Sequence, residues 1–274
     1  MTPIPLEDSF ADILGKAIRG TKTTAADVAN RAGVQIDQLQ ALLDGTWDNS
    51  TASKVAPLLS LDPAALKGLA EGTYLPLPIT LQGLAQYNTV FDDMTVNAYV
   101  VYDEATRQTV IFDTGADASG MLDLVQERGL AVKAILLTHT HGDHIYDLDR
   151  LASKTGAPAF VGNREPLDGA ESFAAGRTWE FGPLRIESRL TWGHSPGGIT
   201  FVVQGLARPV AIVGDSIFAG SMGGGGISYP DALRNNREQI LTLPDETILC
   251  PGHGPMAALG EQRVHNPFFA GAGN

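Results

Sequence analysis

A short proline-rich stretch divides the chain into two parts with different hydrophobic patterns, and this change constrains the fold most. The stretch is Tyr74-Leu-Pro-Leu-Pro-Ile79. Before it, apolar residues recur at helical spacing, whereas after it short β-type runs alternate with helical patterns. A composition of 43% hydrophobic and 18% charged residues suits a globular chain with a sizeable core. We therefore predict a small all-α domain over residues 1–75 and an α/β domain over residues 78–274.

The first part of the chain predicts several short helices joined by turns. Its first apolar face consists of Ile13, Leu14, Ala17 and Ile18. Thr24, with Asp27 three residues later, fits a helix N-cap, and Gly33 breaks the chain before a second helix that Gly45 closes. This pattern over residues 24–45 resembles the helix-turn-helix of the Cro and phage-repressor class.

The charge of the helical part argues against DNA binding. Residues 1–75 contain six Lys and Arg against nine Asp and Glu, and the segment Gln35 to Asp44, which would be the recognition helix, has two acidic residues and no basic one. Contacts to phosphates dominate affinity for DNA, so this face would repel the DNA backbone. We expect a packing or dimerisation module. The non-enzyme alternative is a helix-turn-helix regulator whose second domain is a metal-binding sensor.

The composition of the whole chain excludes several other classes of protein. A formal net charge of −12 argues against a protein that coats nucleic acid or an anionic membrane. No apolar run approaches the roughly 18 residues of a membrane-spanning helix, and the first residues lack the pattern of a secretory signal peptide. The single Cys250 excludes an internal disulfide and a cysteine-rich zinc site. We expect a cytoplasmic protein that acts on a small molecule, with a homodimer as one open oligomeric state.

The second part of the chain combines strand and helix patterns. Strands are predicted at Val96–Tyr102, Thr109–Phe112, Ala134–Leu137, Ala159–Val161, Leu184–Leu190, Ile199–Val203 and Val210–Val213. Helices are predicted at Ala118–Arg128, Asp143–Lys154 and Tyr229–Leu243. The four consecutive glycines Gly223–Gly226 indicate a loop beside a group that requires close approach of the backbone.

Three of the six histidines lie in one short segment, His-Thr-His-Gly-Asp-His, directly after a buried strand at Val132–Leu137. If the chain stays extended, His139 and His141 project to the same side, because side chains alternate along a strand. Asp143 and His144 then open the next helix and point back to the same spot. Imidazole and carboxylate groups are the ligands that suit zinc and iron(II). The segment therefore predicts a metal site.

Three further ligand candidates follow along the chain. His194 lies in a tight turn after a strand, Asp215 ends an apolar strand, and His253 lies in the segment Cys-Pro-Gly-His-Gly-Pro. Each stands beside glycine on a loop or a strand end, where a side chain can face a shared cleft. Alone, each would suit a structural role, but their order after the histidine-rich segment favours a common site.

This set of motifs resembles the metallo-β-lactamase superfamily over residues 78–274. The pattern is His-x-His-x-Asp-His, then His, Asp and His at spacings of 50, 21 and 38 residues. The segments around Asp215 and His253 are similar to those of the short glyoxalase-II-like hydrolases. The resemblance implies a four-layer αββα fold that follows the small helical domain.

The resemblance also implies two metal ions and a reaction. Carried over by motif, the first metal would be held by His139, His141 and His194, the second by Asp143, His144 and His253, and Asp215 would bridge them. The family pattern implies two Zn²⁺ ions per chain, with Fe or Mn as alternatives, and a metal-bound hydroxide that attacks a thioester or related ester. Asp143 is the candidate catalytic residue that passes a proton to the leaving group.

Other enzymatic interpretations remain open at this point. A persulfide-dioxygenase-like enzyme would use a single iron, and a lactonase, a phosphodiesterase or a nuclease would use related sites. Where glyoxalase-II-like relatives carry Gly-Arg-Thr-Asp, this chain has Met222-Gly-Gly-Gly-Gly-Ile-Ser228, so a glutathione thioester is less secure as the substrate.

Four further residues near the motifs lie outside the implied ligand set, and two of them have two interpretations. Asp113 either fixes the orientation of a ligand imidazole or caps a turn. Tyr146 either enters the substrate cleft or packs at the surface. His265 and Cys250 are expected to be structural.

Overall fold

The computed structural model describes residues 3–271. Its first part contains the helices α1 (Phe10–Gly20), α2 (Ala25–Ala32), α3 (Ile36–Leu43), α4 (Asn49–Val55) and α5 (Pro63–Ala70), with a 3₁₀ turn at Ala56–Leu59. The predicted cap is present, since the Thr24 side chain accepts a hydrogen bond from the Asp27 amide, and Gly33 ends α2 with φ 64°. An N-terminal helical region therefore exists, as the sequence predicted.

The first sheet has six strands in chain order. They are β1 (Leu84–Phe91), β2 (Met94–Tyr102), β3 (Gln108–Phe112), β4 (Ala131–Leu136), β5 (Ala159–Gly162) and β6 (Ala170–Phe173). Strands β1 to β3 pair antiparallel, and β3 to β6 pair parallel. Parallel strands need crossover connections, and helices supply two of them: α6 (Ser119–Arg128) lies between β3 and β4, and α8 (Leu148–Thr155) between β4 and β5.

The second sheet also has six strands. They are β7 (Thr178–Phe181), β8 (Leu184–Leu190), β9 (Ile199–Gln204), β10 (Val210–Gly214), β11 (Ile248–Pro251) and β12 (Ala257–Ala258), and each pairs with its neighbours along the chain. Only the β10–β11 pair is parallel among these described strands. The helix α9 (Tyr229–Asn235), which continues as a π-helical turn at Asn236–Ile240, connects β10 to β11, and α10 (Leu259–His265) follows β12.

Three apolar clusters define the layers. The first joins the inner faces of the two sheets, for example Phe112 with Phe201 at 5.5 Å between ring centroids. The second packs the outer face of the first sheet against α6 and α8. The third packs the outer face of the second sheet against α9, α10 and the N-terminal helices. This arrangement is the four-layer αββα fold that the sequence predicted.

The third cluster is continuous across the two parts of the chain. Leu14 of α1 and Leu66 of α5 belong to the same buried cluster as Ala211 and Val213 of β10. The helices at 10–70 therefore cover the outer face of the second sheet. The division into residues 1–75 and 78–274 stays a prediction.

One predicted helix is broken in the structure. The segment Asp143–Lys154 forms α7 (Gly142–Ile145) and then α8, with Tyr146 and Asp147 between them. Tertiary hydrogen bonds hold Asp147 here, because its amide donates to the Thr114 hydroxyl and its carboxylate accepts from the Ala118 amide. Because of this break, the orientation of α7 and the direction of its side chains do not depend on the orientation of α8.

No helix among residues 3–271 combines the length and the apolar character that a membrane crossing requires.

Candidate metal centre

The candidate ligands lie where strands of both sheets end. His139 and His141 follow β4, and Asp143 and His144 belong to α7 directly after them. The other three follow strands of the second sheet: His194 comes after β8, Asp215 directly after β10, and His253 two residues after β11. Strand ends carry the chain out of the sheet into loops, where side chains can face a cleft.

The structure brings these seven side chains into two groups that could each hold a metal ion. One group consists of His139, His141, His194 and Asp215, and the other of Asp143, His144 and His253, each with its ligand atoms within 4.8 Å of one another. In the first group, Nδ1 of His141 lies 3.0 Å from Nε2 of His139 and 3.1 Å from Nε2 of His194. His139 and His141 therefore face the same spot, as the alternation of the extended chain predicted.

Asp215 stands between the two groups. Its Oδ2 lies 3.3 Å from Nε2 of His194 in the first group and 3.4 Å from Nε2 of His253 in the second. Its Oδ1 lies 3.4 Å from Nε2 of His144. Asp143 completes the second group, since its Oδ2 is 3.3 Å from Nε2 of His253. One carboxylate is thus within reach of both groups.

Hydrogen bonds behind the site fix how two of the imidazoles face it. Nδ1 of His253 donates to the carbonyl oxygen of Thr95 at 2.7 Å, and Nδ1 of His194 donates to that of Gly224 at 2.9 Å. In both rings Nε2 is left as the free nitrogen that points to Asp215. Partners of this kind orient metal-binding histidines and select their tautomer.

A third partner, Asp113, serves the remaining two buried imidazoles. Its Oδ2 accepts from Nδ1 of His144 at 2.9 Å and from the Thr138 hydroxyl at 2.8 Å. Because that hydroxyl donates to Asp113, it accepts from Nδ1 of His139, 3.0 Å away. Asp113 therefore orients ligand imidazoles, which is the first of the two interpretations that its sequence position allowed. Sequence reasoning missed Thr138, although it stands directly before His139.

Two buried polar atoms at the centre have no hydrogen-bond partner among the described residues, Nε2 of His144 and Oδ1 of Asp215. An unsatisfied buried polar atom costs about 1–3 kcal/mol, and more where it is charged. A cation between these atoms would satisfy both. The donor set of imidazoles and carboxylates suits zinc and iron, so the residues present fit divalent metal ions.

The electrostatics of the centre also fit cations. Burial would raise the pKa of Asp215, but the charges of His253 and His144 hold it well below its usual value. Burial is the largest single influence on His144 and His253 and opposes their protonation. The Asp215 carboxylate, together with hydrogen bonds to Asp113 for His144 and to Asp143 for His253, outweighs it. The pKa rises to about 10 for His144 and to about 11 for His253. Without metal, protons on these two rings therefore supply the positive charge.

The imidazoles of His139 and His141 are held in the neutral form. Burial, and next the positive charge of His144, lowers the pKa of His139 well below its usual value. Burial, and next the charge of His194, lowers the pKa of His141. A neutral imidazole is the form that binds a metal.

Two glycines allow the backbone to approach the ligands closely. A Cβ on Gly252 would lie 2.1 Å from Oδ1 of Asp215 and 2.6 Å from Cε1 of His144. A Cβ on Gly223 would lie 1.8 Å from the carbonyl oxygen of Asp215. The glycine run Gly223–Gly226 thus borders the site, which explains the close approach that the sequence indicated.

The chain before α1 reaches the edge of the site. The Asp8 carboxylate accepts from the Ser221 hydroxyl at 2.5 Å and forms an ion pair with Lys16, whose ammonium also donates to the carbonyl oxygen of Met222. Sequence reasoning missed the contacts with Ser221 and Met222, because they join residues more than 200 positions apart.

Three other residues with predicted roles lie outside the two ligand groups. Cys250 is fully buried between the sheets, and His265 stacks on Tyr74 at 4.5 Å between ring centroids, so both are structural as expected. Tyr146 is 69% exposed and meets the edge of Phe91.

Two sheets packed between helical layers, with a His and Asp cluster at their strand ends, define a class of α/β proteins that bind metal. The sequence profile of the Metallo-beta-lactamase superfamily matches residues 91–253, which include all seven candidate ligands. The chain belongs to this superfamily.

Individual relatives are similar over the same part of the chain. "Probable metallo-hydrolase YqgX" of Bacillus subtilis is 31% identical over 201 residues, which cover 64% of this chain and 92% of the relative. The crystal structure of ETHE1 from Myxococcus xanthus superposes with a TM-score of 0.60 and 25% identity, covering 68% of this chain and 85% of that one. TTHA1623 in a di-iron-bound form superposes with a TM-score of 0.54 and 26% identity, covering 66% and 99%.

Proposed function

We propose that the protein is a metal-dependent hydrolase that cleaves a thioester or a related ester at a centre of two divalent ions. The observation that carries this proposal is the position of Asp215, whose carboxylate lies within 3.3–3.4 Å of ring nitrogens of His194, His253 and His144. A carboxylate shared by two groups of ligands is the arrangement that a binuclear centre needs. The similarity to a relative named as a probable metallo-hydrolase supports the same conclusion.

In this proposal each residue has a defined task. His139, His141 and His194 would hold the first ion, Asp143, His144 and His253 would hold the second, and Asp215 lies where it could serve both. Bound divalent ions would lower the pKa of a coordinated water to about 7 and polarise the carbonyl of the substrate.

The protein's own groups orient the ligands and move protons. Asp113, Thr95 and the Gly224 carbonyl hold four imidazoles in one tautomer, so that their free nitrogens face the ions. Asp143 is proposed as the catalytic residue that carries a proton to the leaving group. Burial would raise the pKa of Asp143, but hydrogen bonding to His253 and the charge of His144 lower it, so the group starts as a proton acceptor.

Within the superfamily we favour the glyoxalase-II-like type, on the segments around Asp215 and His253. Zinc is the proposed metal, with iron or manganese as alternatives. The di-iron form of TTHA1623 favours measuring iron as well as zinc. A lactonase and a persulfide-dioxygenase-like enzyme with one iron are the alternative activities.

The first experiment is elemental analysis of protein purified without added metal, followed by turnover assays on a thioester and a lactone. We expect about two metal ions per chain and hydrolysis of the thioester. A single iron per chain, with consumption of oxygen and no hydrolysis, would favour the dioxygenase alternative. Less than about one metal per chain, and no turnover after reloading with zinc, manganese or iron, would contradict the proposal.

A substitution at the second group tests the binuclear centre. We expect Asp143→Ala to lose one metal ion per chain and most hydrolysis, while the melting profile stays cooperative. Asp149→Ala, an exposed acid on α8, is the matched control and should retain both. An unchanged rate in Asp143→Ala would argue against the second ion.

For the helical region we propose a packing role, despite its resemblance to the helix-turn-helix class. The exposed side of α3 presents Asp37 and no basic residue, and Leu14 and Leu66 pack on the second sheet. We propose a small-molecule substrate in the cytoplasm and no nucleic-acid partner, with a homodimer as one open state. Sequence-specific binding of genomic DNA in a gel-shift assay would support the regulator alternative instead.

A further inference from the structure

A cavity of about 880 Å³ lies between the end of α1 and the segment that leads into α9. Its volume is within the range of about 300–1,000 Å³ that is usual for small-molecule sites. From the end of α1 and the turn after it, Lys16, Arg19 and Lys22 line the cavity, and from the second part of the chain Gly224–Gly226 and Tyr229 line it. The two parts of the chain therefore build this cavity together.

The cavity is cationic in a protein that is acidic overall. Three basic side chains line it, and no Asp or Glu does among the described residues. Lys16 is paired with Asp8. Arg19 and Lys22 form no ion pair within 4.0 Å among residues 3–271, and the carboxylate that Arg19 acts on at longer range, Asp12, does not line the cavity. Cations in a concave site attract anionic ligands.

The lining from the second part of the chain offers backbone donors and apolar surface. The amides of Gly224, Gly225 and Gly226 donate no hydrogen bond to other described residues. Tyr229 is buried, and its ring packs so closely on Gly20 that a Cβ there would lie 2.3 Å from Cγ of the ring. Successive free amides of a glycine loop can accept the oxygens of an anion.

The cavity is adjacent to the metal centre. Gly224 lines the cavity and its carbonyl oxygen accepts from Nδ1 of His194. Lys16 also lines it, with its ammonium 5.2 Å from the centre of the Phe218 ring, and that ring lies 5.8 Å from the imidazole of His253. One layer of residues separates the basic lining of the cavity from the ligands.

We propose that this cavity binds a phosphate group at the far end of the substrate whose thioester or ester is cleaved at the metal centre. The proposal rests on the proposed function. Two cations without an ion-pair partner suit a phosphate monoester, which carries about −1.5 to −2 charges near pH 7. The planar fork of Arg19 and the free glycine amides suit the several oxygens of a phosphate. Tyr229 and Leu233 supply the apolar surface for the organic part of the ligand.

Direct binding tests the cavity without relying on hydrolysis. The probe is adenosine 3′,5′-bisphosphate, titrated calorimetrically into the metal-loaded full chain. The test variant is the double charge reversal Arg19→Glu with Lys22→Glu. The matched control is Arg31→Glu with Lys54→Glu, which makes the same charge change at exposed positions of the helical region that do not line the cavity.

We expect wild type and the control to bind the bisphosphate alike, and the test variant to bind it about tenfold or more weakly, because like charges then meet in the cavity. Equal binding by both variants would overturn the proposal, since the anion would then bind elsewhere, for example at the metal ions. No binding by wild type would overturn it as well. Equally tight binding of tricarballylate, a tricarboxylate, would overturn the assignment to phosphate.

Kinetics then link the cavity to the reaction. Acetyl-coenzyme A and S-acetyl-N-acetylcysteamine share the same thioester, but only the first carries phosphates. We expect the test variant to lower the ratio of kcat/KM for acetyl-coenzyme A to kcat/KM for S-acetyl-N-acetylcysteamine about tenfold or more. The change should come from a higher KM for acetyl-coenzyme A, whereas kcat/KM for the neutral thioester should not change. An unchanged ratio would overturn the link to the substrate. If neither thioester reacts while bisphosphate binding still depends on Arg19 and Lys22, the proposed function fails and the phosphate site stands.

Discussion

Oδ2 of Asp113 lies 2.9 Å from Nδ1 of His144 and, through the Thr138 hydroxyl, also orients His139. His139 belongs to one ligand group and His144 to the other. A single buried carboxylate therefore holds one imidazole of each group. Its effect on the centre should exceed that of an ordinary hydrogen bond, because both groups depend on it.

Asp113→Asn tests this relationship. The amide oxygen of Asn is a weaker acceptor than a carboxylate oxygen. Its amide nitrogen is a donor and would face groups that now donate to the Asp113 carboxylate, so both imidazoles would lose their fixed orientation. We expect metal affinity to fall roughly 10- to 100-fold, as is usual when such a partner is lost. Competition with a chromophoric chelator measures it. Asp123→Asn, an exposed acid on α6, is the control, and equal affinities in the two variants would refute the orienting role.

Gly252→Ala tests the close approach of the backbone to the ligands. The added methyl would lie 2.1 Å from Oδ1 of Asp215, so the carboxylate has to move. We expect loss of metal and of hydrolysis, because a shift of about 1 Å in a reacting group can cost roughly 100-fold in rate. Metal content and turnover are measured for Gly252→Ala and for the control variant Gly68→Ala. Gly68 lies in α5, where an added Cβ would contact only Thr73, at 3.4 Å. Full metal content in Gly252→Ala would contradict this prediction.

The pKa values of the centre predict opposite pH trends for metal-free and metal-loaded protein. The raised pKa values of His144 and His253, about 10 and about 11, stabilise the metal-free fold fully below their unfolded value of 6.5. This stabilisation is lost as the pH rises through the folded values. Bound metal replaces these protons. The affinity of the protein for metal therefore increases as the pH rises, and the stability of the metal-loaded protein increases with it.

Thermal melting between about pH 6.5 and about pH 9, with and without a chelator, measures both trends. We expect Tm of the metal-free protein to fall over this range and Tm of the loaded protein to be level or to rise. The variant His144→Gln is the control, since it removes one of the two titrating rings and should flatten the metal-free trend. Parallel curves with and without chelator would show that the protons and the metal do not compete.

The sequence predicted the seven candidate ligands because their signals are local. His139, Asp215 and His253 each follow an apolar strand and stand beside glycine or another ligand, so type and position are visible along the chain. The orienting partners were less accessible. The Thr95 carbonyl has no side-chain signal, and Asp113 became an orienting residue only through the fold, which places it 2.9 Å from His144.

The missed elements of the fold have similar causes. Strand β1 is half-buried and polar in sequence, and β6 and β7 are four-residue strands with exposed charged residues, so none of them shows a continuous apolar run. The break between α7 and α8 depends on hydrogen bonds from Asp147 to residues about 30 positions earlier. Local propensity carries no information on such contacts.

Leu14→Ala tests whether the helical region and the second sheet unfold together. Leu14 is fully buried in the cluster that includes Val213 of β10, so its truncation leaves a cavity at their junction. We expect the free energy of unfolding to fall by about 2–5 kcal/mol. Leu77→Ala, at a site that is 72% exposed, should change it by less than about 0.5 kcal/mol.

Urea unfolding of both variants is followed in a Trp47→Phe background, which removes the tryptophan of the helical region. Helical circular dichroism is compared with the fluorescence of the remaining tryptophans, which include Trp179 in the second sheet. We expect the two signals to change at the same urea concentration in each variant, because one apolar cluster spans the junction. If the helical signal of Leu14→Ala changes first and the fluorescence of the sheet does not, the two parts fold independently.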